Sequence, residues 1–108
     1  MLTAEWQSIL AVADRALFAY RLRTERERQQ EEQRDFVEDS GISQQTWSEW
    51  ERGVRVHITT EMLHMGAYLT GLHVMRLVER PTAANTAEGR VFWTAVEAEM
   101  ASRRLGRP

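Results

Sequence analysis

Cysteine is absent from this chain, which excludes disulfides and thiolate metal sites and is compatible with a reducing cytosol. Lysine is absent too, so all 14 cationic side chains are arginines. Arginine is the better fork for phosphate and guanine, although a GC-rich gene would favour the same residue. An excess of positive charge is also missing: the net charge is -2, whereas nucleic-acid-binding domains are usually basic. Overall charge therefore offers only weak, salt-sensitive attraction to a polyanion, and any such affinity must come from local placement. No apolar run approaches the ~18 residues of a membrane span, and no secretory signal pattern opens the chain. A cytoplasmic protein with no membrane partner is expected. Proline is scarce at 2 residues; Pro81 stops one helix and opens a linker over residues 81–86.

What is present suits one small globular chain of 108 residues, 43% hydrophobic and 28% charged. Residues 3 to about 28 read as a long helix or two abutting ones. Thr3 can cap it, and Trp6, Ile9, Leu10, Ala13 and Leu17 form an apolar stripe that Phe18 and Leu22 extend round the side. Residues 23–35 form a mixed charge run without an apolar residue, the composition of a solvated helix face. Phe36 and Val37 begin a second apolar segment that Gly41 should close. Met62, Met65, Gly66 and Leu69 keep helical spacing over residues 60–69, and Leu72, Val74, Met75, Leu77 and Val78 suggest a short further helix. Beyond the linker, Asn85 is the expected cap of a last helix, with Glu88 three residues on. Phe92, Trp93, Val96 and Met100 form its stripe, and Arg103, Arg104 and Arg107 sit at its end.

The most informative stretch is Ile42-Ser43-Gln44-Gln45-Thr46-Trp47-Ser48-Glu49-Trp50-Glu51-Arg52-Gly53. Ser43 is a good N-cap, and Gly53 a natural stop. Trp47 and Trp50 are three apart and share one face, so they can be buried together. Gln44, Gln45, Ser48 and Glu49 then fall on the flanks and the opposite face. The expected product is a helix of about eight residues with an aromatic root and a polar crown.

With Gly41 in front, this stretch resembles the recognition-helix region of the Xre/Cro-type helix-turn-helix family, whose pattern runs roughly Gly-Val-Ser-Gln-x-x-Val-Ser-x-Trp-Glu-x-Gly. The Gln44-Gln45 start is similar to that of some lambdoid-phage repressor and Cro proteins. The family's Leu-Arg-x-x-Arg of helix 1 is matched by Leu22-Arg23-Thr24-Glu25-Arg26, and its Leu-Ala pair on helix 2 by Phe36-Val37. The likeness covers about residues 18–80. It departs at Glu31, where the family has an apolar residue, which leaves open whether helix 1 runs on through the charge run. The resemblance implies an all-α fold: a five-helix Cro/repressor-like domain over residues 1–80 with an extra N-terminal helix. Residues 81–108 then supply a linker and C-terminal helix. It further implies that Arg26 pairs with Glu51 to tie helix 1 to the recognition helix, and that the Gln33 amide meets a backbone phosphate and braces that helix.

On this reading the candidate DNA contacts are Gln33, Ser43, Gln44, Gln45, Thr46, Ser48, Glu49, Arg52 and Arg55. Gln44 can bond adenine N6 and N7 bidentately, and Glu49 can accept from a cytosine N4. Gln45 shares the Glu49 face, being four residues before it. Thr46 and Ser48 are adaptable contacts to phosphate or a thymine methyl, and Arg52 and Arg55 can grip phosphates. The expected partner is double-stranded DNA, bound by a homodimer that acts as a repressor. The terminal helices either build that dimer, the favoured expectation, or thicken one monomer core. Glu49 and the acidic second helix keep an alternative open, a protein-binding module such as an antitoxin or regulator partner. The four tryptophans are expected in the core rather than on a stacking platform for single strands. His57, His64 and His73 lack metal-ligand spacing, and no catalytic triad, phosphate loop or nucleophile elbow is present. Neither an enzyme nor a cofactor is expected.

Overall fold

Thr3 begins the first helix as its composition suggests: its hydroxyl accepts the Trp6 N–H at 3.2 Å. The computed structural model describes residues 3–54 and 57–105. Those residues form helices and connecting turns, with no strand among them. The order is α1 (Ala4–Arg28), α2 (Gln33–Phe36), α3 (Gln44–Arg52), α4 (Thr60–Thr70), α5 (Val74–Val78) and α6 (Ala87–Leu105). No helix among the described residues is long and apolar enough to cross a membrane.

α1 is the spine, 25 residues long and so about 37 Å from end to end. Two apolar stripes run along it, and each founds its own core. Ile9, Ala13 and Leu17 recur every four residues and meet Phe92 and Val96 of α6. Phe18 and Leu22, displaced by about 100° around the helix, meet Phe36, Val37, Trp47, Trp50, Met62 and Leu77. Ile42, half-buried, closes over this second core. The body is elongated, 48 × 28 × 24 Å, because the cores lie end to end on one spine.

Two boundaries differ from expectation, the end of α2 and the cap of α6, while α1 ends where the expected helix over residues 3 to about 28 does. α1 stops at Arg28, and Gln30 takes a left-handed φ of 58°, so helix 1 does not continue through the charge run, which has no apolar residue to bury. α2 is a single turn that ends at Phe36 rather than reaching Gly41. After Val37 come only Glu38, Asp39 and Ser40, which offer the core nothing. Ser40 Oγ donates to the Val37 carbonyl at 2.6 Å and accepts the Ile42 N–H at 3.1 Å, a local alternative to helix. Asp39 and Gly41 then carry positive φ through the turn. The cap of α6 is Thr86, not Asn85: Thr86 Oγ1 accepts the Gly89 N–H at 2.9 Å and donates to the Ala83 carbonyl at 3.0 Å. That fold of the linker requires glycine at 89, because a Cβ there would overlap the Ala83 carbonyl oxygen.

Glu88 is likewise diverted from a capping box. Its Oε2 accepts from Arg21 at 2.7 Å and its Oε1 from Arg76 at 2.6 Å, joining α1, α5 and α6. The hydrogen bond from Arg76, against the opposing effect of burial and helped by Arg21, lowers its pKa from 4.5 to about 2. The folded value lies below the unfolded one, so the stability Glu88 brings is complete above about 4.5 and is lost as pH falls through about 2. Thermal melts of the wild type should lose midpoint across that window. Glu88→Gln should melt lower at neutral pH and lose less on acidification; parallel acid profiles would contradict this.

The terminal helices bury their stripes on each other within one chain. Phe92 and Val96, expected to be covered by a second copy, are covered by the chain's own α1. Trp6 and Trp93 depart from the expected all-core placement of the tryptophans, at 39% and 42% exposed. Trp93 rests edge-on against Phe92, ring centroids 5.2 Å apart.

Candidate nucleic-acid interface

α3 is built by its ends and its root. Ser43 has extended backbone angles, and its Oγ accepts the Thr46 N–H at 3.0 Å. The same hydroxyl donates to Thr46 Oγ1 at 2.9 Å. At the far end Gly53 takes φ 67°, with its N–H on the Trp50 carbonyl and the Val54 N–H on that of Glu49, the pattern of a glycine-closed helix. α3 is thus 9 residues long. Gly53 also faces α1, where a Cβ would come within 3.6 Å of Ala19 Cβ and the Arg15 carbonyl oxygen.

The indoles face inward. Trp47 is fully buried and Trp50 nearly so. Their ring centroids are 5.8 Å apart, and Phe36 of α2 lies 5.3 Å from Trp47. This tilted trio fixes α3 against α2 and gains beyond plain area burial.

Below the indoles sits a buried carboxylate. Glu51, 4% exposed, accepts from Arg26 Nε at 2.6 Å, Arg26 Nη2 at 2.9 Å and Gln33 Nε2 at 3.1 Å. The Trp47 indole N–H donates to it as well. Burial works against the ionised form of Glu51. The bonds from Arg26 and Gln33, the Arg26 charge and the bond from Trp47 outweigh it and hold the carboxyl below the usual carboxylate range. Arg26 also donates to the Glu31 carbonyl at 2.8 Å. The Glu51 carboxylate therefore ties the end of α1, the start of α2 and the base of α3, and Arg26 adds the turn after α1. The structure joins Arg26 and Glu51 as the sequence resemblance implies, and it adds Gln33 and Trp47 to the same acceptor.

The outward side carries the other sequence-derived candidates. Ser43, Gln44, Gln45 and Arg52 are exposed, while Thr46, Ser48 and Glu49 are half-buried. Gln33 is half-buried beneath them, its amide nitrogen engaged by Glu51, so it stands as a brace. Arg52 Nε reaches the Ser48 carbonyl at 3.4 Å. Arg55 lies outside the described residues. Two depressions flank α3: one of about 290 Å³ bounded by Glu32, Arg34 and Gln44, the other of about 670 Å³ between α3 and the start of α4, reaching Thr46, Glu49, His57 and Thr59.

Arg34 is the cation that sequence reasoning missed. Its side chain is 81% exposed beside Gln44, with Asp35 at 3.6 Å. Position 34 sits in the charge run, where nothing marks one arginine from the next. Around it Glu32, Asp35, Glu38 and Asp39 are also exposed, so the polar crown is amide-rich at the start of α3 and mixed in charge about α2. Comparison with family models, with curated proteins and with solved structures gives no match.

Proposed function

We propose that this chain is a sequence-specific DNA-binding regulator of the Xre/Cro helix-turn-helix type. α2 and α3 form the motif, and α3 enters the major groove. The observation that carries the reading is the exposure of Gln44 and Gln45 at the capped start of a helix rooted by two buried indoles. A helix held this firmly from below can present amides at a fixed register, as direct reading of base edges needs. Gln44 reads adenine, Gln45 and Glu49 contact the neighbouring bases, and Ser43, Thr46 and Ser48 reach phosphate or a thymine methyl. Arg52 and Arg55 grip phosphates, and Gln33 holds α3 from behind. The protein works as a cytoplasmic dimer on a palindromic operator, with half-sites about one helical turn apart. It represses by occupying the site and carries out no catalysis.

Electrophoretic shift on the DNA upstream of its own gene tests this. Gln44→Ala should weaken specific binding about 5- to 150-fold, the value of one bidentate base contact. Its stability should stay within about 0.5 kcal/mol of wild type, as for an exposed substitution. Equal losses on specific and random DNA would contradict base reading by Gln44.

The exposed carboxylates of Glu32, Asp35, Glu38 and Asp39 beside the crown favour a second reading, a module that docks a basic protein surface, as an antitoxin or regulator partner would. If no upstream DNA shifts at low salt, this second reading takes precedence.

A further inference from the structure

Arg21 lies in the C-terminal half of α1 and is 4% exposed. Its Nη2 donates to Glu88 Oε2 at 2.7 Å, while Nε and Nη1 are buried without a hydrogen-bond partner. Buried donors of a charged group left unmet are costly and uncommon in folded proteins. The carboxylate that Arg21 meets is already shared, since Arg76 donates to Glu88 through Nη2 at 2.6 Å and Nη1 at 3.2 Å. Two guanidiniums thus divide one acceptor group.

Arg21 and Arg76 both line an open cleft of about 610 Å³ between α1, α5 and the start of α6. Arg80, Thr82 and Thr86 line it as well. The first turn of α6, a helix of 19 residues, contributes Ala87 and Glu88 to the wall, so the positive end of its dipole meets the cleft. The lining holds three guanidiniums against the carboxylates of Glu79 and Glu88. Asp14 holds Arg80 at 2.9 and 3.0 Å.

We propose that this cleft binds the phosphate group of a small molecule, whose oxygens supply the acceptors that Arg21 lacks and draw on the guanidiniums of Arg76 and Arg80 at the rim. Because the carboxylates lower the net charge of the lining, a bare halide gains little there. A ligand must bring several acceptor oxygens, and guanidinium groups match phosphate in that respect. Bound between α5 and the start of α6, it clamps the two cores of the chain together. The site is remote in sequence from α3, and the proposal does not depend on DNA binding.

The test is titration of inorganic phosphate into the purified protein at constant ionic strength, followed by calorimetry and thermal melting. The expected result is a saturable heat and a saturable rise in Tm. Affinity should fall about 10-fold or more in Arg76→Gln/Arg80→Gln, the loss expected when charge-assisted bonds to an anion are removed. Both arginine side chains are nearly half exposed, at 45% and 49%. Arg80→Gln alone, which should weaken binding less, serves if the double variant does not fold. A citrate arm separates a carboxylate ligand from a phosphate one. Saturation by citrate alone, a response that grows linearly with phosphate, or equal responses of wild type and variants would overturn the proposal.

Discussion

Glu51→Ala should be the most damaging substitution at a charged residue of this chain, with a loss of about 3–5 kcal/mol in folding stability. The carboxylate is buried and accepts from Arg26, Gln33 and Trp47. Its removal strands the Arg26 guanidinium, itself only 13% exposed, together with the indole and amide N–H groups. Deleting one member of a buried, hydrogen-bonded pair costs far more than the pair is worth against an apolar replacement. For the same reason Arg26→Met/Glu51→Leu, which removes both charges and keeps the volume, should recover most of the loss. Urea unfolding followed by circular dichroism measures both. If Glu51→Ala unfolds at the wild-type midpoint, the carboxylate is no keystone. If the double variant is as weak as the single one, the stranded charge is not the cause.

Trp47→Ala is the second large effect, again about 3–5 kcal/mol. Trp47 is 0% exposed, and its ring is wedged between Phe36 and Trp50. Alanine leaves a cavity where α2, α3 and α1 meet, and it also removes one of the donors to Glu51. Small domains hold only about 5–15 kcal/mol in all, so this variant should be poorly folded near 37 °C and should lose the near-ultraviolet dichroism of a packed indole. Trp93→Ala is the control. That ring is 42% exposed on α6, so its loss should cost clearly less. A ranking with Trp93 above Trp47 would mean that α3 is not the rooted element.

These two side chains illustrate which parts of the fold sequence patterns convey. The span of α3 was legible because everything that defines it is local: Ser43 caps it, the indoles are spaced by three, and Gly53 ends it. The long α1 was legible from Thr3 and its stripe for the same reason. The length of α2 was not, since Glu38 and Asp39 tolerate helix and only the packing of Phe36 and Val37, with the Ser40 bonds, ends it early. Choosing Thr86 over Asn85 depends on the Ala83 carbonyl and the space left by Gly89, a tertiary matter. The partners of Glu88 were hidden too, because Arg21 stands 67 residues away and no short-range spacing couples them. The stripe of α6 announced that it would be covered, but a stripe does not say by what, and the chain's own α1 covers it. Of the candidate site, the exposed amides and the Arg26–Glu51 tie followed from spacing and resemblance. Gln33 and Trp47 as further donors to Glu51 needed the fold.

The most direct test of the central claim is selection of bound duplexes from a random DNA pool at ~50 mM salt, where phosphate contacts are least screened, with sequencing of what the protein retains. The account predicts an enriched inverted repeat whose half-sites each carry an A·T pair at a fixed place. That preference should be lost when Gln44→Ala/Gln45→Ala is put through the same selection. Retained DNA no different from the starting pool, or the same repeat recovered with both proteins, would contradict it.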